Sequence, residues 1–524
     1  MTLKFNKNSL LYGTFVLTIA NIFVRLLGFI YRIFLSRMIG PQGMGLVQLI
    51  FPLYMITITL TASGIPIAVS RIVSQRKAIG DIRGIKRTVF ISLLMVIVIS
   101  IFLCFLVIIN ADKIATHLFK DTRTHSAILV FFPCILITGL GAVLKGYFYG
   151  VKNIHPPALS EIIEQIVRMV LVVAILLWIP SLSVQASTAV VILGMVIGEL
   201  ASLLYLHYYY HQSMKVNFHS IQTPASALLF KNILIIAIPI TLTRLVSSLM
   251  MAANSILIPR RLMAGGMANS EAVGAFGIIS GMVMPLLFLP FTIISALSVV
   301  IIPNLSENVM LKNWTNIRDK VSKSIFITCL TAFGSMALII PLAHVIGIVL
   351  YQQPAVGKFL IPLSYSMIFF CLQHSLNSIL NGLGKQNRAA LHFMIGGIIQ
   401  LICTYFLVAH PDFRIYGFII GFFFSSMIVS FLNFIAVIQI TKLQIQFTKW
   451  FLKPGLVSLL TALVIRLTFL FLVNHEISYG LSLITAVPIG IIALMVMLFQ
   501  TGSLPLWLLK EINKKFHTNT PSLF

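Results

Sequence analysis

Runs of about twenty apolar residues recur about fourteen times along this chain, separated by short polar links. A hydrocarbon layer about 30 Å thick takes roughly twenty residues of helix to cross. Lipid offers no partner to a backbone N–H or C=O, so runs of this length must satisfy their own polar groups as helices. The spans read as 10–36, 46–72, 88–110, 126–149, 158–180, 188–210, 229–258, 274–302, 322–346, 359–382, 387–409, 415–440, 454–473 and 480–501. With 59% hydrophobic and 9% charged residues in 524, the chain reads as an all-α polytopic membrane protein. The basic N-terminus leads into an apolar run too long for a signal peptide, with no small-residue cleavage site after it, so an uncleaved first helix is expected.

A formal charge of +25 would suggest nucleic acid in a soluble protein. Here the cations mark topology instead. With the N-terminus inside, the inside segments hold 24 of the 37 lysines and arginines and the outside loops eight. Five more (Arg25, Arg32, Arg168, Arg244 and Arg466) fall within spans. That asymmetry predicts that both termini are cytoplasmic, and an even number of spans requires them to share a side. No nucleic-acid partner is expected; anionic headgroups account for the remaining attraction.

The two halves repeat weakly. Ile19–Arg25 aligns with Ile238–Arg244, and Pro66-Ile-Ala-Val-Ser70-Arg71 answers Pro303-Asn-Leu-Ser306-Glu307. The repeat predicts two six-helix lobes, 1–212 and 231–445, joined by a cytoplasmic linker, 213–230. Residues 446–524 then hold a C-terminal helix pair and a tail. A repeat of this kind places a substrate cavity between its halves.

Charges inside spans are expensive and mark candidate sites. Arg25 and Arg244 lie midway along their helices, and Arg32 follows Arg25 by two helical turns. Facing a cavity, these guanidiniums suit a phosphate, whose oxygens match the planar donor fork; the alternative is a structural pairing with Glu199 or a carbonyl. In the run Pro157–Arg168, Pro157 and Ser160 read as a helix start, with Glu161 and Glu164 in or near the first turn and Glu164–Arg168 as an i,i+4 pair. Glu161, Glu164 and Arg168 read as a capped interfacial ion pair, or as a cytoplasmic gate or cation-coupling site. Glu199 reads as an ion- or proton-coupling carboxylate that must find its partner on another helix. Gly64-Ile-Pro66, Pro285, Pro290 and Pro303 are expected to break or kink their helices.

No nucleotide-binding loop of the GxxxxGK[ST] kind occurs, so transport would draw on a gradient, the membrane potential or product consumption. The outer-loop acids Asp112, Asp121, Glu271, Asp412 and Glu476 sit in separate short loops, and no enzyme activity is expected. The five cysteines read as packing residues, and no two histidines read as a metal-ligand pair, so neither metal nor cofactor is expected.

Several stretches carry a family likeness: Arg25-Leu-Leu-Gly28-Phe29 with Arg32, Ile39-Gly40-Pro-Gln-Gly43-Met-Gly45-Leu46, and Gly64-Ile-Pro-Ile-Ala-Val-Ser70. Lys145-Gly-Tyr-Phe-Tyr-Gly150, Ser160–Arg168 and Gly198-Glu-Leu-Ala-Ser-Leu-Leu-Tyr205 extend it. On these the chain resembles the multidrug/oligosaccharidyl-lipid/polysaccharide exporter superfamily, in particular its sporulation branch, over essentially its whole length. The lipid II flippase branch is similar but has an arginine followed by an aspartate after the Gly-Phe of its first helix; here that place reads Ile30-Tyr31-Arg32. The resemblance implies two rocking lobes plus a C-terminal helix pair that could flank a groove for a lipid tail. It also implies a flippase carrying an undecaprenyl-pyrophosphate-linked peptidoglycan precursor, lipid II, outward across the cell membrane for spore cortex synthesis. A peptidoglycan synthase is a candidate partner. The competing readings are a flippase for another lipid-linked polysaccharide unit, a cation-coupled drug antiporter of the same superfamily, a membrane glycosyltransferase and a scaffold.

Overall fold

A computed structural model describes residues 10–214 and 225–502. Residues 215–224 of the expected linker and the tail beyond 502 lie outside the described residues. All regular elements among the described residues are helical. Twelve helices are long and apolar enough to cross a membrane, or up to 13 with the bent pair Pro354–Tyr365 and Met367–Gly382, whose axes differ by 51°.

The fourteen spans of the sequence and these helices differ for physical reasons. The run Ala20–Ala78 is counted as one helix, although it is broken within. The expected span 274–302 divides into Asn269–Leu287 and Phe291–Met310, with Pro290 at the break. His155–Trp178 is long enough, at 24 residues, but carries Glu161, Glu164 and Arg168 and is not among the twelve.

The chain forms two compact units. The first comprises Met1–Met282 and Thr404–Ile415. Its helices are α1 (Leu10–Ala62), α2 (Ile65–Ala78), α3 (Ile82–Ile109), α4 (His125–Gly150), α5 (His155–Trp178), α6 (Val184–Ser213), α7 (Ser226–Ala264) and α8 (Asn269–Gly277). α1 breaks at Gly40, where φ is 66° and ψ −176°. Only glycine adopts that region readily, and Pro41 keeps its predecessor out of the helical well. A second break, at Ser63–Gly64, separates α1 from α2. There α7 approaches so closely that a Cβ on Gly64 would collide with the Ala237 carbonyl. Hydroxyls line the same seam: Thr59 Oγ1 and Ser248 Oγ stand 2.7 Å apart, and Ser63 donates to Thr241 at 3.4 Å. The core runs through Ile65, Val69 and Val73 of α2, Val89 and Val96 of α3, Val143 and Phe148 of α4, and Ile233 of α7.

α5 begins at His155, three residues before the expected start at 158, because Pro156 already sits in the first turn. The first turn therefore holds no acid, which corrects the expectation that Glu161 and Glu164 meet the helix dipole there.

The second unit comprises Val283–Cys403 and Tyr416–Phe524. It contains α9 (Phe291–Met310), α10 (Trp314–Ile339), α11 (Ala343–Tyr351), α12 (Pro354–Tyr365), α13 (Met367–Gly382), α14 (Gln386–Leu407), α15 (Ile415–Thr441), α16 (Lys453–Asn474) and α17 (Tyr479–Gln500). The first residue of α15 belongs to the other unit. Ser378 donates to Ser298 at 2.8 Å and Ser375 faces Ser324 at 3.3 Å, which ties α13 to α9 and α10. The C-terminal helices are anchored on α10 by Trp450, which is fully buried and donates to Ser322, and by Ser458, which donates to the Phe333 carbonyl.

Candidate functional site

The first unit contains a cavity of about 640 Å³, within the roughly 300–1,000 Å³ usual for ligand sites. Arg71 from α2, Lys152 from the end of α4 and Arg244 from the middle of α7 line it, together with Ser70, Gln75 and Tyr149. No aspartate or glutamate is among its lining residues. Three cations without a counter-charge make an anion site, because each donates to an oxyanion while none can donate to a cation. Each side chain is placed by local structure. The α1–α2 break turns Ser70 and Arg71 onto the cavity. Lys152 takes a left-handed backbone, φ 61°, just past the helix end. Lys77 donates to the Val151 carbonyl at 2.7 Å and caps that end of α4.

Of the three arginines expected at a substrate site, only Arg244 lines this cavity. Arg32 lines a smaller one of about 130 Å³, with Tyr31, Gln48, Gln165 and Arg168. Arg25 is exposed and lines neither, since seven residues carry it about 10 Å along the axis. Arg71 and Lys152 were the residues missed. Both read as topology-setting loop cations, although each adjoins a stretch of the family likeness.

Next to the smaller cavity lies a cluster of buried and half-buried charges. Arg168 pairs with Glu164 one turn earlier on α5. Lys145 of α4 stands 3.5 Å from Glu161. Glu199 of α6 is buried and accepts from the Tyr54 hydroxyl at 3.2 Å, so its partner does lie on another helix. Gly198 lets α6 approach: a Cβ there would stand 2.8 Å from the Glu164 carbonyl and 3.2 Å from Arg168 Cβ. Arg168 and Lys145 thus stand among three carboxylates inside one helical bundle. Arg466 is exposed on α16 and belongs to the second unit.

One expectation about histidine needs correction. His207 and His211 stand one turn apart on α6, with Nε2 atoms 3.0 Å apart, which is metal-ligand spacing. Structural metal sites take four ligands, and no group of three or more histidine, cysteine or acidic residues lies together among the described residues.

The family model described as polysaccharide biosynthesis protein matches residues 10–309. Stage V sporulation protein B of Bacillus subtilis (strain 168) is 27% identical over 451 residues, covering 85% of this chain and 87% of that protein. Lipid II flippase MurJ of the same organism is 25% identical over 429 residues, covering 75% and 76%. Among solved structures, a lipid II flippase MurJ in an inward closed conformation matches with a TM-score of 0.68 at 16% identity, over 92% of this chain and 98% of that one. An inward-facing multidrug resistance MATE family transporter of the MOP superfamily matches with a TM-score of 0.67 at 15% identity, over 80% and 98%. The chain therefore has the MOP transporter fold, as its motifs implied.

Proposed function

The chain belongs to the polysaccharide biosynthesis protein family, and from that premise we propose that it is a flippase for a polyprenyl-pyrophosphate-linked saccharide, working by alternating access. The observation that carries this reading is the cavity lined by Arg71, Lys152 and Arg244 with no acid. A lipid-linked pyrophosphate brings the opposite charge. Arginine forks and a lysine point charge can replace the water that its oxygens lose on entry. The polyprenyl tail stays in lipid, so the cavity need hold only the headgroup. The same charge argues against a cationic drug as cargo, because like charges in a confined site repel.

The names of two relatives, a sporulation protein and a lipid II flippase, support lipid II as the cargo and cortex peptidoglycan as its destination. With both termini in the cytoplasm, the Arg71 and Lys152 end of the cavity lies on the side where the precursor is loaded. The rocking bodies are the six-helix lobes 1–212 and 231–445, and α7 opens the second. The cavity is lined from both, by Arg71 and Lys152 from one and Arg244 from the other. Arg25 and Arg32 supply further cations along α1. Glu161, Glu164, Arg168 and Glu199 form the gating and ion-coupling cluster, whose protonation or cation occupancy drives the return step. The protein moves its cargo without chemical change.

Translocation of a fluorescent lipid II analogue in proteoliposomes tests this, with wild type set against Arg244→Gln and Arg71→Gln. Wild-type transport, lost in both variants while folding is retained, is expected. Transport of another lipid-linked saccharide but not lipid II would narrow the cargo and keep the mechanism. Folded wild-type protein that moves neither would overturn the flippase reading.

A further inference from the structure

The second unit holds a cavity of another character, about 220 Å³ in volume, between α9, α13, α14 and α15. No lysine, arginine, aspartate or glutamate lines it. One wall is aromatic. The rings of Phe291 and Phe370 stack with centroids 5.4 Å apart and planes 28° apart, and the His374 ring lies 4.1 Å from that of Phe291. The polar lining is amide. Gln373 and Asn377 stand one turn apart on α13, and their side chains make no hydrogen bond among the described residues. Asn433 is buried on α15, and its Oδ1 pairs with His392 Nδ1 at 2.7 Å, which leaves the N–H donors of that amide for another partner. The serines on the other side of α13 hold it against α9 and α10, so these amides stand on a fixed helix.

The lining chooses among ligands. Without a lysine, arginine or carboxylate on its walls, the cavity offers no fixed charge to a phosphate or an ammonium that gives up water to enter. Phenylalanine faces are electron-rich and receive C–H bonds. Carboxamides both donate and accept, which matches hydroxyl and acetamido groups. At about 220 Å³ the space falls below the roughly 300–1,000 Å³ that encloses a whole small ligand, so it suits one ring of a larger molecule.

We propose that this cavity is a saccharide subsite, which takes a neutral pyranose ring with its C–H face on Phe291 and Phe370 and its hydroxyl or acetamido groups on Gln373, Asn377 and Asn433. The cargo as the source of that sugar rests on the flippase reading; the binding of a sugar does not.

Saturation-transfer NMR on the full chain in lipid nanodiscs, free of sugar-headed detergent, tests the subsite. The probes are N-acetylglucosamine, glucose and benzyl alcohol, applied separately. Transfer to the ring protons of at least one sugar is expected in wild type, falling at least fivefold in the double variant Gln373→Leu/Asn377→Leu. Gln373→Glu, close in size but charged, is expected to weaken it as well and serves if the double variant fails to elute as a folded monodisperse species. A larger signal for N-acetylglucosamine than for glucose would assign the amides to the acetamido group. Absence of transfer to both sugars, transfer undiminished in folded variants, or transfer to benzyl alcohol alone would overturn the proposal. Sugar binding by a chain that flips no lipid would leave the subsite standing and remove only the flippase reading.

Discussion

Replacing Arg168 with leucine should cost far more stability than neutralising the glutamate it pairs with. The two side chains are 17% and 15% exposed, and Lys145 is a second cation among Glu161, Glu164 and Glu199, with Arg32 lining the small cavity beside Arg168. Arg168→Leu leaves Glu164 without the cation it pairs with, in a cluster that already holds Glu161 and Glu199. Breaking a buried pair from one side costs about 3–5 kcal/mol, and the partial exposure here argues for about 3. Glu164→Gln leaves two cations facing two carboxylates and keeps the side-chain shape, so it should cost under about 1 kcal/mol. At roughly 2–4 °C per kcal/mol for a unit of 150–250 residues, and less for a larger one, Arg168→Leu should lower the thermal midpoint by about 6 °C. The double variant Arg168→Leu/Glu164→Gln should recover part of that loss. The assay is thermal unfolding of purified protein followed by a thiol-reactive dye, which reports exposure of the buried free cysteines Cys134, Cys329 and Cys371. Equal losses in the two single variants, or a double variant no better than Arg168→Leu, would refute the charge-balance argument.

Two further outcomes follow from the same geometry. Gly40→Ala should destabilise by about 1–3 kcal/mol through backbone strain alone, since an added Cβ meets nothing within 4 Å; a thermal midpoint unchanged from wild type would contradict it. Thr59→Cys with Ser248→Cys places two sulfurs where hydroxyls stand 2.7 Å apart. If α1 and α7 must separate during the cycle, oxidising that pair should arrest transport and reduction should restore it; undiminished transport in the crosslinked protein would show that this seam stays closed.

Much of the architecture was legible in the residues, because a span must be both apolar and long, and those properties are visible without neighbours. The breaks at Gly64 and Pro290 were legible for the same local reason. Glu164–Arg168 could be read because one helical turn fixes their proximity. Lys145–Glu161 and Tyr54–Glu199 could not, since helix packing alone brings residues 16 and 145 apart in sequence together. Arg71 and Lys152 hid in plain view: at span ends a cation that binds and a cation that sets topology look alike in sequence. The start of α5 was misplaced because Pro156 and Pro157 both fit a first turn, and hydropathy does not choose between them. The amide cavity leaves no mark in the charge pattern, since no lysine, arginine or acid lines it and its residues are scattered over four helices.

The most direct test of the cationic cavity is equilibrium binding of undecaprenyl pyrophosphate to the purified full chain, comparing wild type with Arg71→Gln, Lys152→Gln and Arg244→Gln. A hydrogen bond to a charged group contributes about 1.5–3 kcal/mol, so each arginine substitution should weaken binding by roughly tenfold or more, and the lysine substitution by less. Affinity unchanged in all three folded variants would contradict the account at its centre, because the anion would then be bound without the cations that define the site.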